Sequence, residues 1–105
     1  MPSEEPALSD VLDALVDEAG DVTTPTDREY ARDEVIFATR PEEGVFELLL
    51  GEEIAEAALR TPDTAVSSRG SAWVRFAPTD WDDMAFDRLE AWFRVAWRLA
   101  STSKH

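Results

Sequence analysis

The sequence contains no cysteine, one lysine and one histidine. Without cysteine there is no thiol nucleophile, no thiolate metal site and no disulfide framework, and redox chemistry says nothing about compartment. The histidine, His105, is the last residue. Neither a Ser/His/Asp nor a Cys/His relay can be assembled, and histidine-based zinc sites are excluded with them. The glycines stand apart at positions 20, 44, 51 and 70, which leaves no GxGxxG and no phosphate-binding loop. No apolar run approaches the ~18 residues that a membrane span requires. The opening MPSEEPALSD is acidic where a secretory or mitochondrial presequence is basic. The expectation is a soluble, cytoplasmic protein with no membrane partner.

What the chain has in abundance is acid. Asp and Glu number 23 against 10 Lys and Arg, for a formal net charge of −13, and every base but Lys104 is arginine. A carboxylate-rich, lysine-poor surface suits molar salt, where carboxylates hold water and screening cuts the reach of their repulsion to ~3 Å. The rival explanation is a docking surface for a basic partner, or an imitation of nucleic acid. The spread of the acids over several segments and the scarcity of lysine favour salt adaptation. The charge is uneven: residues 1–59 hold 17 acids and 3 bases, net −14, while residues 60–105 hold 6 acids and 7 bases, net +1. Any anion-attracting surface has to come from the second half.

With 105 residues, 44% of them hydrophobic, the chain is expected to be a single domain, 1–105, that buries roughly two-thirds of its unfolded surface around one core. Residues 1–6 and 101–105 are expected as flexible tails. Leu8, Val11, Leu12, Leu15, Val16 and Ala19 keep helical spacing, with Asp10, Asp13, Asp17 and Glu18 opposite; Ser9 is placed to cap the start and Gly20 to end it. The polar stretch DVTTPTDREYARDE, broken by Pro25, predicts a loop with one helical turn at 26–30. VIFAT (35–39) and GVFELLL (44–50), separated by RPEEG, predict a β-hairpin. EEIAEAALR predicts a short helix after Gly51 that Pro62 bars from continuing, TPDTAVSSRGS a linker, and SAWVRFA a third strand. WDDMAFDRLEAWFRVAWRLA predicts a final amphipathic helix of roughly five turns. The order α-β-β-α-β-α predicts an α+β fold, a two-layer sandwich whose mainly antiparallel sheet carries helices on one face.

In such a sheet the alternation of side chains assigns the faces. A charged residue inside the covered layer needs a buried partner, so the sets containing Glu47 and Arg75 belong on the open face. Phe46, Leu48, Leu50, Val74 and Phe76 are then core, and Trp73 lies outside it beside Arg75. One expectation for this face is a surface arrangement in which Arg75 pairs with Glu47 and stacks on Trp73. The other is a contact patch for a second subunit or a partly apolar anionic ligand, made by Trp73, Arg75, Glu47 and Arg69 with apolar neighbours such as Val45 and Leu49.

What chemistry is left rests on carboxylates and hydroxyls. Asp80, Asp82 and Asp83 precede the last helix, but their spacing departs from a calcium loop, and capping by Thr79 or Asp80 is preferred. Hydroxyls at Thr61, Thr64, Ser67, Ser68 and Ser71 near Arg69 suggest a phosphate cradle, against which a solvated loop is preferred. Trp92 and Trp97 fall on the apolar arc of the last helix, with Arg94 and Arg98 opposite. Trp81 is placed to staple the entry of that helix.

The stretch from Gly44 to Ala100 combines a strand ending in LLLG, the helix EEIAEAALRTPDTAV, the strand SRGSAWVRFAP and a long terminal helix. It resembles the small α+β proteins of the MmcQ/YjbR group, and is similar to the luciferase-domain proteins in its glycine, tryptophan-valine strand and terminal helix. The resemblance implies a helix-on-sheet fold of the double-wing DNA-binding-like type. Most members have no established activity, so it carries over no catalytic residue. A DNA binder needs a basic face, which Arg69, Arg75, Arg94 and Arg98 form only if they converge; the face assignment separates the first two from the last two. The expected function is that of an acidic, salt-adapted binding domain without catalytic machinery, cofactor or metal, acting on a second copy or a protein partner. A nucleic-acid-associated regulator is the alternative, with nucleic acid disfavoured as a partner, and a carboxylate-based enzyme comes third. Catalysis is left open, with the balance against it.

Overall fold

The structure, a computed structural model, describes residues 8–26, 28–42 and 44–102. His105 and most of the expected tails lie outside these residues.

The first helix, α1 (Leu8–Ala19), buries Leu12 and Leu15 and leaves Asp10, Asp13 and Asp17 exposed, as a 3.6-residue period requires. It begins one residue ahead of Ser9, the expected cap, and ends at Gly20, which takes φ 72° and returns its N–H to Val16 O at 3.1 Å. Among the described residues five strands follow: β1 (Glu29–Arg32), β2 (Val35–Glu42), β3 (Val45–Leu49), β4 (Thr64–Val66) and β5 (Trp73–Phe76). Helix α2 (Glu52–Ala58) joins β3 to β4, and α3 (Asp83–Thr102) closes the chain, taking in two residues expected as tail.

The sheet order is β1-β2-β3-β5-β4 and every neighbouring pair is antiparallel. Because β3 and β4 both run against β5, they are parallel to one another, and α2 is the crossover between them. Helix α3 lies across β1, β2 and β3, α1 packs on α3, and α2 rests against β5. The fold is the two-layer α+β sandwich with its helices on one face.

Two strands exceed the expected order. β1 occupies what the sequence predicts as loop and helical turn, because Tyr30 and Ala31 are buried and Thr23 and Ala31 exchange two 2.8 Å backbone hydrogen bonds. Its hairpin with β2 turns on Asp33 (φ 52°) and Glu34 (φ 70°), a pair of left-handed residues with no glycine to announce the turn. β4 lies inside the expected linker and is only three residues long.

Register explains a further feature of β2. Tyr30 pairs with Ala38 but Ala31 with Ile36, so Phe37 is an extra residue, a β-bulge. The bulge turns Phe37 and Ala38 both inward, and each is fully buried. The Phe37 ring meets Phe93 of α3 edge-on at 5.2 Å, with Tyr30 against Phe93 at 5.8 Å. Phe46, Leu48, Leu50, Val74 and Phe76 are buried as the alternation predicts; complete burial of each stabilises by ~1.5–3 kcal/mol.

Trp81 staples the α3 entry, edge-on to Phe46 and Phe76 at 5.7 Å each. Trp92 lies edge-on to Phe76 at 5.1 Å. Trp97 donates from Nε1 to Gly20 O (3.0 Å), and Arg32 covers its ring at 3.6 Å while donating to its carbonyl at 3.1 Å. These bonds fasten the end of α1, the edge of the sheet and α3 together. Among the described residues no helix is long and apolar enough to cross a membrane.

Candidate functional site

The face of the sheet turned from the helices is built row by row from the strand register. Its middle row runs Glu29, Thr39, Glu47, Arg75 and Ala65 across all five strands. Glu42 and Val45 form the neighbouring row on one side, Leu49 and Trp73 on the other.

Glu47 stands opposite Arg75 in register, yet the expected ion pair between them is not made. The carboxylate is already taken: Thr39 Oγ1 donates to Oε1 (3.3 Å) and Ser67 Oγ to Oε2 (2.8 Å), and Arg69 Nε lies 3.6 Å from Oε1. Arg75 turns instead to Glu42, at 3.7 Å. The expected stack of Arg75 on Trp73 is also replaced: Arg69 covers that ring at 5.0 Å from its centroid. Arg69 further reaches Glu29 at 3.9 Å. The structure thus brings Glu47, Arg69 and Trp73 together and sets Arg75 apart from them.

The loop between β4 and β5 achieves this. Ser67 Oγ accepts from the Arg69 backbone N–H (3.0 Å), a local turn that aims both side chains back over the sheet. Glu47 is consequently buried, its side chain 9% exposed, whereas Glu42 is 70% exposed. Burial without partners would cost a carboxylate several kcal/mol, so the Thr39, Ser67 and Arg69 contacts are what let Glu47 lie there. Beside it is a hollow of about 240 Å³ bordered by Arg28, Glu29, Thr39, Glu47 and Arg69. Arg28 is held at its rim by the carbonyls of Arg40 (3.2 Å) and Pro41 (2.9 Å).

The suggested phosphate cradle is not formed. Thr61 Oγ1 and Thr64 Oγ1 both donate to Ala58 O, at 2.7 and 3.0 Å, closing the end of α2; Ser67 serves Glu47, and Ser71 donates to Glu52 at 3.0 Å. Asp82, rather than Asp80 or Thr79, caps α3, accepting from Ala85 N–H at 2.9 Å. Among the described residues no three His, Cys, Asp or Glu side chains gather as a cation site.

Arg94 binds Glu18 of α1 at 2.9 Å instead of Glu90 one turn back. That hydrogen bond, opposed by slight desolvation and reinforced by the Glu18 and Glu90 charges, raises Arg94 above its ordinary value. Arginine stays protonated at any pH where the protein folds, so no pH dependence follows.

Arg88 is a residue that helical patterning passes over. It donates to Thr61 Oγ1 (3.2 Å) and Pro62 O (2.8 Å), meets Asp63 at 3.4 Å and lies 4.8 Å over Phe76. Its position between Ala85 and Trp92, inside the apolar arc, is the signal that it anchors the α2–β4 loop.

No family model matches the chain, and no match is found among curated proteins or solved structures.

Proposed function

We propose that this chain is a non-catalytic binding domain adapted to concentrated salt, and that its uncovered sheet face associates with a second copy of itself. The observation that carries the proposal is the distribution of charge between the two layers. On the sheet face the described carboxylates Glu29, Glu42 and Glu47 each have an arginine within 4 Å. On the helical side Asp10, Asp13, Asp17, Glu53, Glu56, Asp83 and Asp87 are exposed. Two copies carrying −13 each repel wherever acidic surfaces meet, and least where acids are already matched.

The chemistry of the face also suits a two-fold contact. Val45, Leu49 and Trp73 are partly buried and keep some exposed surface, and aromatic groups of this kind are enriched among interface anchors. The exposed Glu42–Arg75 pair is self-complementary: across a two-fold axis each arginine can serve the partner's glutamate without a change in charge balance. A phosphate-backbone partner has less to draw on, because Arg69, Arg75, Arg88 and Arg94 are each matched by an acid.

Sedimentation equilibrium in molar KCl tests the proposal. The expected mass is that of a dimer, falling to a monomer in Arg75→Glu, which adds a third carboxylate beside Glu42 and Glu47. A monomer at every concentration, or a dimer indifferent to Arg75→Glu, overturns it.

A further inference from the structure

We infer that the free edge of β4, with the groove beside it, binds an extended basic and apolar peptide segment as an added strand. β4 is the last strand of the sheet. Ala77 N–H donates to Asp63 O at 2.9 Å just before β4 begins, and Thr64 stands opposite Phe76. In an antiparallel ladder that places the N–H and C=O of Ala65 toward β5 and those of Thr64 and Val66 outward along the edge. The other edge differs, since β1 is covered by the pairing of Thr23 with Ala31. Thr64, Ala65 and Val66 include neither charge nor proline, the usual guards of an open edge.

The groove alongside has a volume of about 370 Å³ and is lined by Glu52, Glu56, Leu59, Val66, Ser71 and Trp73. Val66 is 73% exposed and Leu59 40%, two of the large hydrophobic side chains, with Ile54 and Met84, that are exposed among the described residues. An apolar floor of this kind marks a protein contact. Among the described residues its charged groups are Glu52 and Glu56, and no basic side chain lines it. The fitting occupant is therefore a strand that supplies main-chain hydrogen bonds to Thr64 and Val66, an aliphatic side chain to Leu59, Val66 and Trp73, and lysine or arginine to the two glutamates. The site does not depend on sheet-face association: Trp73 borders both surfaces, but Glu56 and Val66 belong to the groove alone.

Fluorescence anisotropy with a labelled hexapeptide alternating valine with lysine and arginine tests the inference, at the lowest KCl that keeps the far-ultraviolet circular dichroism native. Saturable binding is expected, weakened roughly tenfold by Glu56→Lys and by Val66→Pro. Val66→Pro removes an outward N–H without touching the β5 ladder; should it unfold the protein, Glu56→Lys decides alone. No saturable binding overturns the inference, as does equal binding of a proline-interrupted peptide. A concentration-dependent dimer abolished by Val66→Pro and untouched by Arg75→Glu assigns the edge to a second copy and overturns it too.

Discussion

Arg69 lies over the ring of Trp73, 5.0 Å from its centroid, and the same guanidinium sits 3.6 Å from the buried Glu47 carboxylate. The stack and the charge pair on the uncovered face thus come from a loop, while Arg75, two residues along the strand from Trp73, is left to an exposed partner.

The two charge pairs, Glu47 with Arg69 and Glu42 with Arg75, should therefore differ in their contribution to stability. Glu47→Ala leaves Ser67, Thr39 and Arg69 without their shared acceptor and should cost about 1–3 kcal/mol. Arg75→Ala should stay within about 0.5 kcal/mol, because its pair with Glu42 is solvated. Urea unfolding at dilute protein in molar KCl measures both; equal costs would restore Arg75 to the role the alternation suggests.

Glu34→Gly should stabilise the chain by about 0.5–1 kcal/mol. Glu34 holds φ 70° in the β1–β2 turn, a conformation that costs a residue with a Cβ and that glycine adopts freely. A thermal melt reads the change. A lowered melting temperature would mean that the Glu34 side chain contributes more than its backbone strain removes.

The core and the face assignment were legible in the sequence because Phe46, Leu48, Val74 and Phe76 alternate strictly with Glu47 and Arg75. β1 was hidden by its turn, where Asp33 and Glu34 replace the glycine that marks such hairpins, and by a bulge at Phe37 that breaks the period of two. β4 was hidden by brevity. The register sets Glu47 and Trp73 on the face that the alternation assigns them, but the partner of each is set by the fold of residues 67–72, and no periodic pattern records how a loop folds back over a sheet.

Phe93→Ala should cost about 3–5 kcal/mol, since Phe93 is buried against both Tyr30 and the bulged Phe37. Hydrogen exchange should show the loss first in β1 and β2. A loss spread evenly over β3 and β5 would mean that the bulge is not what seats this ring.

The acid excess predicts a steep response to salt. The melting temperature should rise between low and molar KCl as screening suppresses repulsion among Asp10, Asp13, Asp17 and their neighbours. A flat curve would favour a basic docking partner as the reason for the acids.

The central claim is that the uncovered sheet face is the contact face, and hydroxyl-radical footprinting in molar KCl at low and high protein concentration tests it most directly. Val45, Leu49 and Trp73 should become protected as concentration rises, while Met84, 73% exposed on the helical side, stays reactive. Unchanged reactivity at all three sheet residues, or protection at Met84 in their place, would contradict the account.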